Sequence, residues 1–172
     1  NKLAIERLVA EGGHFTLASG RNPQSMERHF RSLPIAGTPA VVINGAGIYD
    51  FSKNEMVFFS PMSDEGMRLA VEAAKKFPLV DVIVVAKDTI YITGTGWFGK
   101  LFVSADHLDH SHIRNIDDVP KKDWGKVIFS GLPTDIKRVE KYFRSLTDPD
   151  ITMMSSSIAS FEILARNTHK GT

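Results

Sequence analysis

Between residues 61 and 164 the chain reads helix, hairpin, strand, helix, hairpin, and few folds can use that order. The first helix is "SDEGMRLAVEAAKKF". Met67, Leu69, Ala70, Val71, Ala74 and Phe77 give it an apolar side, and Ser63 or Asp64 can cap it. "DVIVVAK" and "TIYITG" then read as two strands of a hairpin. After residues 94–122, which read as loop-rich, come strand "KVIFSG", helix "TDIKRVEKYFRSL" with Thr134 as its cap, and strands "ITMMSSS" and "SFEILA". Helices alternating with hairpins predict an α+β layer, with the helices on one side of a mostly antiparallel sheet.

The flanks follow another pattern. Leu3, Ile5, Leu8 and Val9 have helical spacing, and Gly12-Gly13 ends that helix. Strand "FTLA" stops at Ser19-Gly20-Arg21. A second helix runs from Pro23, a residue suited to the first turn, to about Leu33. "AVVING" is a further strand, apolar throughout and so buried on both faces. Strand, helix, strand predicts a parallel sheet with a crossover helix. "GIYD" and "EMVFFS" form a hairpin. A domain inserted into another domain is the economical reading.

Composition narrows the function classes. The 172 residues carry 21 Lys and Arg against 20 Asp and Glu, a net charge of +1 without the basic clustering of a nucleic-acid footprint. The longest apolar runs are too short to span a bilayer, and no signal peptide is visible, so neither nucleic acid nor membrane is an expected partner. The absence of cysteine removes disulfides and thiolate chemistry, and fits a cytoplasmic protein.

Several motifs invite chemistry. "GTGWFGKL" matches G-x-G-x-x-G at Gly94, Gly96 and Gly99, and nearly matches a phosphate loop, with Leu101 where a Ser or Thr should hold magnesium. Both signatures need a helix next, and "KLFVSADHLDH" shows no helical period, so a glycine-rich loop is the preferred reading. Trp97 in that loop offers an aromatic face to a sugar or base, or is a packed or surface tryptophan. His107, Asp109, His110 and His112 are zinc-type ligands, yet lack the spacing of a catalytic zinc helix, and a solvated loop is preferred. No G-x-S-x-G surrounds any serine, which sets aside a nucleophile elbow. A strand ending in Ser19-Gly20-Arg21 remains as a turn suited to an anion.

That turn, "VVINGAGIYD" and the terminal "FEILARNTHKGT" together resemble the Cof-like branch of the haloacid dehalogenase superfamily, phosphatases with a type IIB cap. In that family one strand ends in Thr- or Ser-Gly-Arg, a later one in Asn-Gly-Ala, and the last cap strand leads to a Lys-Gly turn. The resemblance implies an α/β fold: incomplete, parallel-sheet Rossmann-like core segments flanking an inserted α+β cap. It divides the chain into residues 1–60 (core), 61–164 (the cap, which closes over the core and selects substrate) and 165–172 (core again). It implies a magnesium-dependent phosphatase of small phosphorylated metabolites such as sugar phosphates.

Carried over residue by residue, Ser19 would donate its hydroxyl to the transferring phosphoryl group and Gly20 its backbone N–H. Arg21 would hold the substrate phosphate or orient its neighbours, Asn44 would sit at the mouth of the site, and Lys170 would place its ammonium beside the phosphoryl oxygens. A hydroxyl, an N–H and two cations suit phosphoryl transfer, which is mostly positioning and charge neutralisation.

The family's nucleophile is the first aspartate of a D-x-D motif on a strand, and its Mg2+ ligands lie in a Gly-Asp motif beyond the lysine. Neither occurs here; "DPD" at Asp148–Asp150 lies in a loop. Asn1 falls inside a helix and "THKGT" stops before one, so the chain is expected to be a fragment, inactive alone and holding no metal ligand. The alternative is a non-enzymatic domain that binds a small molecule or a metal.

Overall fold

The structure, a computed structural model, describes residues 1–172 apart from 36, 95, 107 and 172, with the backbone alone at 105 and 106. The chain forms two units, residues 1–59 with 169–172 and residues 60–168.

The first unit begins with α1 (Lys2–Ala10), none of whose side chains is buried. α2 (Pro23–Arg31) starts from Asn22, whose Oδ1 accepts the Ser25 N–H at 2.9 Å, with Pro23 in the first turn. β1 (Ala40–Val42), β2 (Gly47–Asp50) and β3 (Glu55–Phe59) form a three-stranded antiparallel sheet. Met26, Phe30, Ile35, Val42, Ile43 and Phe51 are buried, and Phe30 stacks on Phe51 at 4.4 Å.

Two expected strands are shorter than their apolar runs. "FTLA" is reduced to one parallel bridge, Ala18 to Val41, because its backbone bonds are confined to Ser19 N–H on Val41 O and Val41 N–H on Leu17 O, both 2.9 Å. "AVVING" leaves the sheet at Val42. Ile43, Asn44 and Gly45 take φ of 50°, 58° and 104°, a left-handed run that no strand can contain.

In the second unit, α3 (Asp64–Lys76) is capped by Ser63, whose Oγ accepts the Gly66 N–H at 3.1 Å. β4 (Asp81–Ala86) and β5 (Ile90–Thr93) pair antiparallel. α4 (Trp97–Asp106), β6 (Ser111–His112), β7 (Trp124–Ser130), α5 (Pro133–Arg144), β8 (Ile151–Ser157) and β9 (Ser160–Ala165) complete it. The sheet order is β6-β5-β4-β7-β9-β8, antiparallel except between β5 and β6. Val82, Val84, Val127, Phe129, Phe161 and Ile163 face α3 and α5 in one continuous core, which also holds Trp124 and Phe143. Leu132 is the N-cap residue of α5 and Pro133 stands in its first turn, so Thr134 is not the cap.

α4 corrects the loop-rich reading of residues 94–122 and the one-sided placement of helices. It lies on the other sheet face, where an alanine at Gly99 would be driven into Ile92 Cγ2 and would meet Ile83 Cγ1 at 3.6 Å. Ile83 and Ile92 alternate with the core-facing residues of their strands. Also buried in the sheet, Lys126 Nζ lies 3.1 Å from Glu162 Oε2, an ion pair in which losing one member would strand the other.

Candidate functional site

Backbone bonds fold the Ser19–Arg21 turn onto the left-handed turn after β1. Asn44 N–H donates to Ser19 O at 2.9 Å and Ile43 N–H to Arg21 O at 2.8 Å. Gly20 faces the Asn44 amide so closely that a Cβ there would sit 2.5 Å from Asn44 Oδ1. Only glycine fits that approach. The Ser19 hydroxyl oxygen accepts the Arg21 N–H at 3.3 Å, which aims the hydroxyl across the turn while its proton can still be donated. Ser19, Gly20 and Arg21 are half-buried and Asn44 is buried.

The other end of the chain returns to the same turn. At Gly45, whose φ is 104°, a Cβ would be driven into the carbonyl of His169. The segment bearing Lys170 is thereby held against Asn44-Gly45, and Lys170 itself is exposed. The structure thus brings together Ser19, Gly20, Arg21 and Asn44, with the backbone beside Lys170 seated next to them.

Residue spacing did not single out Ser25 and His169. Ser25 is 3% exposed, and its hydroxyl accepts Arg21 Nη1–H at 2.7 Å. The available signal was its place four residues after Arg21, just past a helix cap. His169 has no comparable signal, because its role rests on a backbone contact more than 120 residues away.

The donor set is a hydroxyl, backbone amides, a guanidinium and an ammonium, which suits an anion. It contains no carboxylate. Mg2+ is bound through carboxylates, so these residues do not fit that ion and no step is drawn through it. Among the described residues no three His, Asp or Glu converge on a point. In the histidine segment His107 lies outside the described residues, and His110 Nδ1 lies 2.9 Å from Leu108 O.

The glycine motif follows a strand, as expected, and also has after it the helix that its sequence reading denied. Its anion seat is filled from within. The carboxylate of Asp81, 1% exposed, accepts the N–H groups of Gly96, Phe98 and Gly99 at 2.8, 2.7 and 3.2 Å. The start of α4 is satisfied by this side chain rather than by a phosphate. Trp97 beside it is 67% exposed, which removes the packed reading.

A left-handed turn that gathers a Ser-Gly-Arg strand end, an Asn-Gly-Ala segment and a terminal Lys-Gly defines a class. The family model for haloacid dehalogenase-like hydrolases matches residues 1–172, and the chain belongs to that family. No curated protein matches it.

Among solved structures the chain is similar to a haloacid dehalogenase-like hydrolase from Bacteroides thetaiotaomicron (TM-score 0.81, 15% identity, 98% of this chain and 64% of that one). It is also similar to a B. subtilis haloacid dehalogenase-like hydrolase (0.77, 17%, 98% and 67%). A third is a subclass IIB sugar phosphatase (0.73, 18%, 98% and 62%). At these identities the likeness shows the fold. The chain spans 64% of the first and 62% of the third. Among the described residues no helix is long and apolar enough to cross a membrane.

Proposed function

We propose that the whole protein is a magnesium-dependent phosphatase. It hydrolyses phosphoric monoesters of small metabolites such as sugar phosphates, through an aspartyl-phosphate, in the cytoplasm. One observation carries this reading. The seats of Gly20 on Asn44 and of the His169 carbonyl on Gly45 gather the Ser19–Arg21 turn and the Lys170 segment at one strained turn. The family match over residues 1–172 and a subclass IIB sugar phosphatase among the similar folds support it.

In this reading the Ser19 hydroxyl and the Gly20 N–H donate to equatorial phosphoryl oxygens. Arg21, braced by Ser25, grips the phosphate, and Asn44 shapes the mouth. The Lys170 ammonium offsets developing charge; at about 4 Å and an effective dielectric of about 20 that attraction is roughly 4 kcal/mol before desolvation. A carboxylate oxygen bonds to phosphorus as the bond to the leaving alcohol breaks, and water then cleaves the acyl phosphate. That carboxylate and the acidic magnesium ligands come from outside the residues gathered here, so the 172-residue chain alone is inactive. Residues 60–168 act as the cap that selects the ester.

The test is steady-state release of inorganic phosphate from sugar phosphates and an aryl phosphate by the whole protein. Ser19→Ala and Lys170→Ala should each lower kcat/KM by about 10²–10³. A whole protein without hydrolytic activity rejects the reading. Comparable turnover by the 172-residue chain rejects the account of its missing nucleophile.

A further inference from the structure

One end of the six-stranded sheet carries a row of exposed apolar side chains that the phosphatase reading does not use. The pairs Val82–Thr93, Asp81–Ser130, Ser130–Ser160 and Ser157–Ser160 put the start of β4, the ends of β5, β7 and β8 and the start of β9 at the same edge. Three connections and the first residue of α4 each present one large apolar side chain. Leu79 is 73% exposed, Trp97 67%, Leu132 58% and Ile158 82%.

The connections are contiguous. A Cβ on Gly94 would meet Val80 O at 3.4 Å, one on Gly131 would meet Val80 Cγ2 at 3.5 Å, and Gly131 N–H donates to Ala159 O at 3.1 Å. The chain enters and leaves this unit at the other end of the sheet, where Met62 N–H donates to Trp124 O and Ile151 pairs with Ala165.

We propose that this row is an interface on which a second copy of the chain docks. Charge selects the occupant. Residues 78–80, 131–134 and 155–160, which carry Leu79, Leu132 and Ile158, contain no Lys, Arg, Asp or Glu; in residues 96–101, around Trp97, the one formal charge is Lys100. An anionic membrane or a charged partner would need complementary charge. A nearly neutral apolar row complements itself about a two-fold axis, the arrangement of most homodimers. Its hydroxyls do too, since Ser156, Ser157 and Ser160 each donate and accept and already pair at 2.7–2.9 Å.

Area agrees. Four large side chains so exposed amount to roughly 500 Å² of apolar surface, at the upper end for a monomer's patches and more than half of the about 800 Å² per partner of a stable interface. An interface of that size predicts a weak, concentration-dependent dimer.

Sedimentation equilibrium of the 172-residue protein tests this. The wild type should pass from monomer to dimer across the micromolar range. Ile158→Asp and Leu132→Asp should each weaken the dimer at least about tenfold. Ile158→Ser, which only lengthens an exposed serine run, keeps the test valid if an aspartate variant fails to fold. A wild type monomeric at several hundred micromolar overturns the proposal. So does a dimer that these changes leave intact while Leu3→Ser or Leu8→Ser dissolves it. Flotation of the wild type with neutral phosphatidylcholine vesicles, abolished by Ile158→Asp, would overturn the choice of occupant.

Discussion

The two units divide packing from chemistry. In residues 60–168 strands β4, β7, β8 and β9 have six or seven residues, Phe143 lies 5.3 Å from Phe129 and 5.6 Å from Phe161, and Trp124 is fully buried. In residues 1–59 the strands have three, four and five residues and α1 buries nothing. Yet that thinner unit holds Ser19, Gly20, Arg21 and Asn44, with three successive left-handed residues and a buried amide. Where the core is complete the backbone stays regular. Around the Ser19–Arg21 turn the strands are short and the backbone bends through a left-handed run.

The largest effect expected from this contrast is Phe143→Ala, which leaves a cavity in the second unit and should cost about 3–5 kcal/mol. Its counterpart, Leu3→Ala on the 73%-exposed face of α1, should stay within about 0.5 kcal/mol. Both tryptophans lie in residues 60–168, so urea unfolding followed by their fluorescence reports that unit directly. Equal costs for the two substitutions would break the contrast.

A smaller effect sharpens it inside the second unit. Asp81→Asn keeps one acceptor oxygen for three N–H groups, and should cost about 2 kcal/mol and speed hydrogen exchange at Gly96, Phe98 and Gly99. Unchanged exchange would mean that the start of α4 does not depend on Asp81.

Asp81 also explains why α4 was missed. Its cap comes from 15 or more residues upstream, and "WFGKLFVSAD" is apolar on the inner side at Gly99 and Val103 and on the outer side at Trp97 and Leu101. A helix without a polar face shows no period. Elements with local signals were legible, among them the Ser63 cap, the β4–β5 hairpin and α5. "FTLA" was overread because a strand exists only as far as a neighbour pairs with it, and its pairing stops after Ala18. In the candidate site, the Ser19–Arg21 turn and Asn44 are proposed from short motifs, and the structure places them against one another. Ser25 and the His169 carbonyl could not be named that way, since each matters only through the residue it touches.

The smallest expected effect is in pH. Glu140 accepts from Ser155 Oγ–H at 2.7 Å and pairs with Arg144 at 2.8 Å, and these contacts hold its carboxyl below the ordinary range. In the first unit Asp50 is held low chiefly by the Ser52 hydroxyl at 2.6 Å, with the Ser52 and Lys53 N–H groups adding to it. A carboxylate whose folded value is depressed contributes stability that is complete above its unfolded value, about 4, and is lost as pH falls through the folded one. Melting temperature should therefore be flat with respect to these groups from pH 7 to about 5 and decline below about 4. Glu140→Gln should flatten that decline by about 1–2 °C in the tryptophan signal, the scale of a surface pair. Asp50→Asn should leave the tryptophan signal alone, because Asp50 belongs to the unit that has no tryptophan. An Asp50→Asn protein with an altered acid limb in tryptophan fluorescence would show the two units melting as one.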